Sequence, residues 1–295
     1  GNFSTDPVSI ADLFMGALFP GLLLVILYIF WLLLYSMRYP ERVPPVPARE
    51  HETFRHVIAV LLPPLLLIMI VLGSILTGIA TATESAAVGA TGSFLLAATH
   101  RRLTMKNLKA VMRQTARVTS MVFTILIGAA MFTLVFRGLH GDDLIHYFLS
   151  DLPGGLWTAL ALTMLVMFVL GFFLDFIEII FVVVPIVAPI LLVMGAHPIW
   201  LAIMIAVNLQ TSFLTPPFGF SLFYLRGVAP DSVKTSQIYR GVLPFVLIQL
   251  LSLLILAIFP ALTTWLPETL YKKHFTIEAS HAIPDNTIQT YDIDF

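Results

Sequence analysis

Three hydroxyl residues, Thr211, Ser212 and Thr215, stand directly before two consecutive prolines, Pro216 and Pro217, in the stretch NLQTSFLTPPFGFSLF at residues 208–223. A proline has no amide hydrogen, so each one leaves an upstream carbonyl without its helical partner. Gly219, two residues on, permits backbone angles that other residues resist. Hydroxyl and carbonyl oxygens together suit a hard cation such as Na⁺. The competing reading of the same residues is a proline kink whose freed groups are satisfied by neighbouring helices. A second group lies upstream, in GFFLDFIEIIFVVVPIVAP at residues 171–189, where Asp175 and Glu178 stand three apart. If that segment is helical there, the two carboxylates project from one face. A charged carboxylate inside a bilayer costs at least about 2.5 kcal/mol on insertion scales, so each must meet water, a cation or a basic partner, or be protonated. An ion pair with Arg137 is the structural alternative to a functional role.

The elements that must position these groups are membrane helices. The chain of 295 residues is 58% hydrophobic and 11% charged, with a mean hydropathy of +0.94. These values lie well outside the range of soluble domains. Its apolar runs are continuous rather than alternating in polarity, which favours helices over a β-barrel. The expected fold is therefore an all-α polytopic membrane protein. One spanning helix is expected at 18–37, closed by the proline-rich loop RYPERVPPVPARE. Two crossings are expected within 57–99, meeting near TGIATATES, where Glu84 reads best as a helix cap. A further helix is expected over 119–136, followed by a polar connection. The run 156–194 holds Asp175 and Glu178 at its centre and reads as a re-entrant hairpin with its tip at Gly171 to Asp175. A broken helix over 198–226, with its break at Thr211 to Gly219, and a last crossing over 241–265 complete the expected set, before a polar tail at 268–295. Ten of the sixteen Lys and Arg residues fall between Arg38 and Arg55 or between Arg101 and Arg117. The positive-inside rule places both segments in the cytoplasm.

The corner DPVSIADLFMGALFP at 6–20 is echoed by DSVKTSQIYRGVLP at 231–244, with Asp, Val, Gly, a small apolar residue, Leu and Pro in the same order. This suits a duplicated transporter: residues 1–55 would be the end of a first repeat and residues 56–267 the second. The opening GNFSTDPVSI has neither an initiator Met nor the pattern of a signal peptide, so an upstream segment holding the rest of the first repeat is expected. The chain has no cysteine, which removes disulfides, thiolate metal sites and cysteine nucleophiles. His100, His140, His146 and His197 lie singly, without metal-ligand spacing. No phosphate-binding loop or nucleophile elbow is present, so energy for transport would come from an ion gradient.

The segments TGIATATESAAVGA, LPGGLWTALALTMLVMFVLGFFLDFIEIIFVVVPIVAPI and NLQTSFLTPPFGFSLFYLRGVAP, in that order, resemble the second half of the large membrane subunit of tripartite ATP-independent periplasmic (TRAP) transporters. The resemblance covers roughly residues 8–268. It implies an elevator-type fold with two inverted repeats, each contributing a helical hairpin and a broken helix. It implies Na⁺-coupled import of an organic acid, most often a carboxylate, across the bacterial inner membrane. It also implies two partners, a small membrane subunit and a periplasmic solute-binding protein, with Na⁺ as the coupling ion, no other cofactor and no nucleic acid. Carried onto this chain, the solute-facing residues would be Gly171, Asp175, Glu178, Thr215 and Pro216. The Na⁺ ligands would come from Thr211, Ser212, Thr215 and Gly219. Two other classes compete: a membrane scaffold or channel without coupled transport, and a membrane-embedded enzyme using Asp175 and Glu178 as acid and base, for which no metal or nucleophile constellation appears.

Overall fold

The structure is a computed structural model that describes residues 8–43, 54–216, 219–230 and 233–269. Every regular element among them is helical. Four helices are long and apolar enough to cross a membrane: α1 (Ile10–Arg38), α2 (Phe54–Leu76, apolar from Ile58), α4 (Met105–Gly138) and α11 (Thr235–Ile258). A fifth crossing results if α7 (Phe176–Val182) and α8 (Val184–Val193), bent by 55° at Val183, are taken as one span. Only 6% of the spanning windows of α2 and α4 is buried. Their Leu, Ile and Phe side chains therefore face outward, as lipid or another membrane protein requires.

The expected pair of crossings over 57–99 is a helical hairpin of α2 and α3 (Ala82–Thr99). The turn between them carries Gly78 at φ +71°. Ser74 and Ser85 hydroxyls hydrogen-bond across the pair at 2.8 Å. Built largely of Ala, Gly, Ser and Thr, α3 is not among the helices apolar enough to cross alone. Its small residues suit close packing on a neighbour. Glu84 caps α3, as expected. Its Oε2 accepts from the Thr81 amide at 2.8 Å and from the Thr81 hydroxyl at 2.9 Å. The Glu84 amide donates in return to Thr81 Oγ1 at 3.3 Å. The exchange is a reciprocal capping box. These bonds favour the charged form and hold the Glu84 carboxyl below the usual carboxylate range.

Three boundaries differ from expectation. The basic segment from Arg101 to Arg117 is not a loop: from Met105 it forms the first part of the 34-residue α4, started by Thr104, whose hydroxyl accepts from the Asn107 amide. The polar connection after Arg137 contains a helix, α5 (Gly141–Ser150), with Asp142 and Asp143 in its first turn, where acidic groups complement the helix dipole. Finally, α11 ends at Ile258 rather than near 265. Phe259 has left the helical region, at φ −120° and ψ 72°. Pro260 is the cause, since it supplies no amide hydrogen and its ring disfavours a helical residue before it.

The two echoed corners both begin helices and share a capping device. Ser9 and Lys234 are the N-caps of α1 and α11, and each donates its amide to the side chain at the third helical position. The acceptors are Asp12 Oδ2 at 2.9 Å and Gln237 Oε1 at 2.7 Å. Their prolines, Pro20 and Pro244, fall one position out of register and lie inside continuous helices.

The interior is organised around α9 (Pro198–Leu214), which packs against α1, α6 (Leu156–Leu170), α10 (Phe220–Val228) and α11. It is buried on nearly all sides, from Ile199 and Trp200 to Thr211 and Ser212, as a helix surrounded by other helices must be. Trp200 anchors it: the indole Nε1 donates to the Leu256 carbonyl at 2.8 Å, and the ring meets Trp157 edge-on at 5.9 Å. The indole thus keeps a polar partner for its N–H while its apolar body fills the interior.

Candidate functional site

The first arm of the hairpin is α6, whose buried face of Ala159, Leu160, Thr163, Met164 and Met167 lies against α9. It ends where expected, at Gly171. Residues 171–175 then turn through short-range bonds, Phe173 N–H to the Leu170 carbonyl at 2.9 Å and Leu174 N–H to the same oxygen at 2.8 Å. The second arm begins with Asp175 as the N-cap of α7. This arm is two helices rather than one. Pro185 cannot donate to the Phe181 carbonyl and its ring crowds that turn, so the helix breaks at Val183 and restarts as α8.

The hairpin tip is pressed onto the last turns of α9. Gly171 has φ −66°, an ordinary helical value, so glycine is not needed there for its backbone freedom. It is needed for space. A Cβ on Gly171 would lie 2.1 Å from Ser212 Oγ and 2.6 Å from Ser212 Cβ, distances no real carbon tolerates. One turn back along α9, Asn208 Nδ2 donates to the Met164 carbonyl at 2.9 Å. This buried bond joins the two elements and satisfies a polar side chain that water cannot reach. Beyond Ser212, the Phe213 ring meets Phe176 of α7 edge-on at 6.3 Å. Asn208, Ser212 and Phe213 therefore hold both arms of the hairpin and its tip against one end of α9.

At that end the helix breaks. The break starts later than expected, at Thr215 rather than Thr211, because Pro216 is the first residue unable to continue the amide ladder. Thr215 is extended (φ −93°, ψ 130°), its amide bonds the Ser212 carbonyl at 3.0 Å, and α10 restarts at Phe220 after Gly219 at φ +35°. A Cβ on Gly219 would sit 3.0 Å from the Thr215 carbonyl oxygen and 3.2 Å from that of Phe213, so two carbonyl oxygens gather at the break. Pro217 lies outside the described residues.

All three hydroxyls of the motif are committed as donors to their own helix: Thr211 Oγ1 to the Val207 carbonyl (2.7 Å), Ser212 Oγ to Leu209 (2.8 Å) and Thr215 Oγ1 to Thr211 (2.8 Å). A hydroxyl that has donated its proton in this way keeps its oxygen lone pairs for an acceptor role, which is the role a cation demands. Thr211 and Ser212 are buried inside α9, while Thr215 and Pro216 are half-buried at the break.

The carboxylates are arranged differently from the expectation of a shared helix face. Asp175 precedes the helix and its Oδ1 accepts from the Phe176 amide at 2.8 Å, whereas Glu178 occupies the third helical position. Both are half-buried. Neither makes an ion pair among the described residues, so the pairing with Arg137 that would have made them purely structural is not formed. Arg137 instead borders a groove between α4 and α7, beside Thr133, Leu134 and Phe181. No group of three or more metal-ligating His, Asp or Glu side chains occurs among the described residues. Sequence reasoning missed Asn208 and Thr163. The polar Asn208 inside an apolar run at 198–209 was the available signal; Thr163, whose buried hydroxyl has no hydrogen-bond partner in the structure, carried no comparable mark.

Comparison with known proteins bears directly on this arrangement. Residues 4–262 match the family described as the tripartite ATP-independent periplasmic transporter, DctM component. The C4-dicarboxylate TRAP transporter large permease protein DctM of Pseudomonas aeruginosa is 29% identical over 89% of this chain and 61% of its own length. The sialic acid TRAP transporter large permease protein SiaM of Vibrio cholerae is 30% identical over 88% of this chain and 60% of its own. The isethionate TRAP transporter permease protein DctMQ of Oleidesulfovibrio alaskensis is 31% identical over 86% of this chain and 40% of its own. This chain thus spans about three-fifths of the large permeases it matches. These relatives are named as permeases, which sets aside the reading of Asp175 and Glu178 as a catalytic pair. With a family match over most of its length, and with a buried hairpin and broken helix among apolar spanning helices, the chain belongs to the DctM component family of TRAP transporters, multi-pass proteins of the bacterial inner membrane.

Proposed function

We propose that this chain serves in a Na⁺-coupled importer of an organic acid, as part of the large permease subunit that receives its solute from a periplasmic binding protein and works beside a small membrane subunit. The observation that carries this reading is the close approach of Gly171 to Ser212, which joins the turn between α6 and α7 to a helix broken at Thr215. Transporters build solute and ion sites from such paired irregular elements because half-helix ends and unwound carbonyls offer polar groups that an intact helix keeps to itself.

In this reading the Na⁺ ligands are the oxygens of Thr211, Ser212 and Thr215 together with carbonyls at the Gly219 break. Bound there, Na⁺ would draw the hairpin tip and the broken helix together and so couple the ion to closure over the solute. Gly171, Thr215 and Pro216 would face the solute. Asp175 and Glu178, in the turn and first helical positions that follow Gly171, would serve to attract the cation rather than to contact an anionic solute. Residues 56–267 would form one complete repeat, and the shared capping of α1 and α11 supports the matching corner at the end of another. The relatives differ in the solute that their names give, a C4-dicarboxylate, sialic acid and isethionate, at 29%, 30% and 31% identity, so identity with any one of them does not select the solute. All three solutes carry an acidic group, which supports an organic anion as the class.

Uptake into proteoliposomes across a Na⁺ series, in the presence of the binding protein, tests the ion site. Thr215→Val deletes one oxygen while keeping the side-chain shape, and is expected to require more Na⁺ for half-maximal uptake. Thr215→Ser restores the oxygen and should restore the Na⁺ dependence. An unchanged Na⁺ dependence in Thr215→Val, Thr211→Val and Ser212→Ala alike, at matched protein amounts, would remove the hydroxyls from the proposal.

A further inference from the structure

The N-terminal part of α4 carries Lys106, Lys109, Arg113 and Arg117 at spacings of three and four residues. At about 3.6 residues per turn, that spacing places all four on one face. Leu108, Val111, Met112 and Thr115 occupy the opposite face, and the groove along Val111, Met112, Thr115 and Phe123 is open. All four basic side chains are exposed, and none forms an ion pair among the described residues. There is no Asp or Glu from Arg101 to Gly138. Like charges four apart on a helix repel one another, and positive charge near a helix start opposes the dipole. The sequence thus maintains an unfavourable stripe of charge whose counter-charge must come from outside this helix.

The length of α4 says where that counter-charge lies. Residues 118–136 are uncharged. At about 1.5 Å per residue they extend for about 28 Å, close to the roughly 30 Å of a bilayer's hydrocarbon. Seating that stretch in the membrane puts Arg117 at its edge. Arg113 then stands about 6 Å further out, Lys109 about 12 Å and Lys106 about 17 Å for an untilted helix. The headgroup layer on each side is roughly 5–7 Å deep, so Arg117 and Arg113 fall within it and the two lysines lie progressively beyond.

We infer that this face of α4 binds anionic phospholipid headgroups, with Arg113 and Arg117 as the contacting residues and Lys109 and Lys106 adding attraction that weakens with distance. A headgroup fits better than a soluble acidic partner because the charges begin at the membrane edge, where Arg117 directly adjoins the uncharged spanning stretch. The surface would hold α4 at a fixed depth relative to the hairpin, with which α4 packs through α7.

The test uses the full chain, with phosphatidylglycerol titrated against phosphatidylcholine and the retained lipid counted by native mass spectrometry. The wild type should prefer phosphatidylglycerol, and salt at about 0.5 M should weaken the preference. Each charge near the surface is worth up to about fivefold in binding, so R113Q/R117Q should lower the preference by up to about 25-fold. K106Q/K109Q should lower it by clearly less. R113K/R117K keeps the charge and should keep the preference, and it carries the salt test if the glutamine variant does not fold. Three results would overturn the inference: no preference in the wild type, full competition by inorganic phosphate at matched concentration, or a larger effect at Lys106 and Lys109 than at Arg113 and Arg117. The last of these is the pattern a soluble acidic partner would give.

Discussion

Adding a single methyl group at the hairpin tip is the sharpest probe of how the two irregular elements fit together. Gly171 sits at φ −66° and ψ −5°, where alanine has no conformational penalty. On backbone grounds alone, Gly171→Ala should stabilise the protein by about 0.4–1 kcal/mol, since alanine restricts the unfolded chain more than glycine does. The structure reverses that sign. The new Cβ would meet Ser212 Oγ at 2.1 Å and Ser212 Cβ at 2.6 Å. Ser212 is almost fully buried and its hydroxyl is tied to the Leu209 carbonyl at 2.8 Å, so it cannot swing aside without giving up that bond. Overpacking of this kind costs about 1–3 kcal/mol, so the tip must lift from α9 or the protein must accept that loss.

The clash is removable from the other side, which makes a double-mutant cycle decisive. Ser212→Gly deletes both of the atoms in conflict, at a cost of about 1 kcal/mol for glycine in a helix. In that background Gly171→Ala should be neutral or stabilising. Melting temperature in detergent is a suitable readout, at roughly 2–4 °C per kcal/mol for a chain somewhat smaller than this one, alongside Na⁺-dependent uptake. The expected result is a loss of several degrees for Gly171→Ala alone and recovery in the double variant. If Gly171→Ala raises the melting temperature in the wild-type background, the hairpin tip does not rest on Ser212 and the two irregular elements do not assemble as one site.

Three further outcomes follow from the same geometry. Asn208→Leu removes the donor to the Met164 carbonyl and leaves that buried oxygen without this partner, so it should lower stability by about 1–3 kcal/mol; a melting temperature equal to the wild type would show that the bond does not join the hairpin to α9. The Glu84 carboxyl should titrate below an ordinary glutamate, which carbon NMR of labelled protein can follow; because its folded value is depressed, its stabilising contribution is present at neutral pH and lost as pH falls through that folded value. Single cysteines can be introduced without background because the chain has none, and Met105→Cys, at the exposed start of α4, should resist an impermeant thiol reagent applied from the periplasmic side. Labelling from that side would put the basic segment outside the cytoplasm.

How much of this was legible in the sequence varies with the kind of signal. The run 156–194 stood out because Gly171, Asp175 and Glu178 interrupt an apolar stretch that is too long for one crossing, and hydropathy registers such interruptions directly. The capping role of Glu84 was also readable, since a Thr three residues before a Glu is a local chemical pattern that needs no tertiary contact. The length of α4 was not readable from hydropathy. Its first part is basic, so a hydrophobicity criterion starts the helix near Thr119, yet Lys and Arg are good helix formers and the ladder runs on unbroken from Met105. The roles of Gly171 and Asn208 depend on what lies across the interface, in residues distant along the chain. Local composition marks such positions as unusual without saying what they touch.

The prolines show most clearly why pattern alone falls short. Pro216 follows the end of α9, and with Pro217 it forms the pair from which a break was expected. Pro63 and Pro64 form an equally adjacent pair, yet both lie inside the continuous helix α2. Each pair deprives the preceding turn of two amide donors, so the lost hydrogen bonds are the same and cannot decide the outcome. What differs is the chain that follows. After Pro63 and Pro64 come Leu65, Leu66 and Leu67, strong helix formers that restore the ladder at once in apolar surroundings, where an open backbone would be costly. After Pro216 and Pro217 come Phe218 and Gly219, and Gly219 takes up a positive φ that closes off helical continuation while drawing the Phe213 and Thr215 carbonyls together. The polar end created there is covered by the hairpin tip at Ser212, whereas α2 has a largely exposed apolar surface and no comparable cover. A proline pair therefore opens a membrane helix only where a residue able to leave the helical region follows it and a second element shelters the freed carbonyls. In this chain those conditions meet between Thr215 and Gly219, where the backbone leaves the helix at Thr215 and restarts it after the positive φ of Gly219.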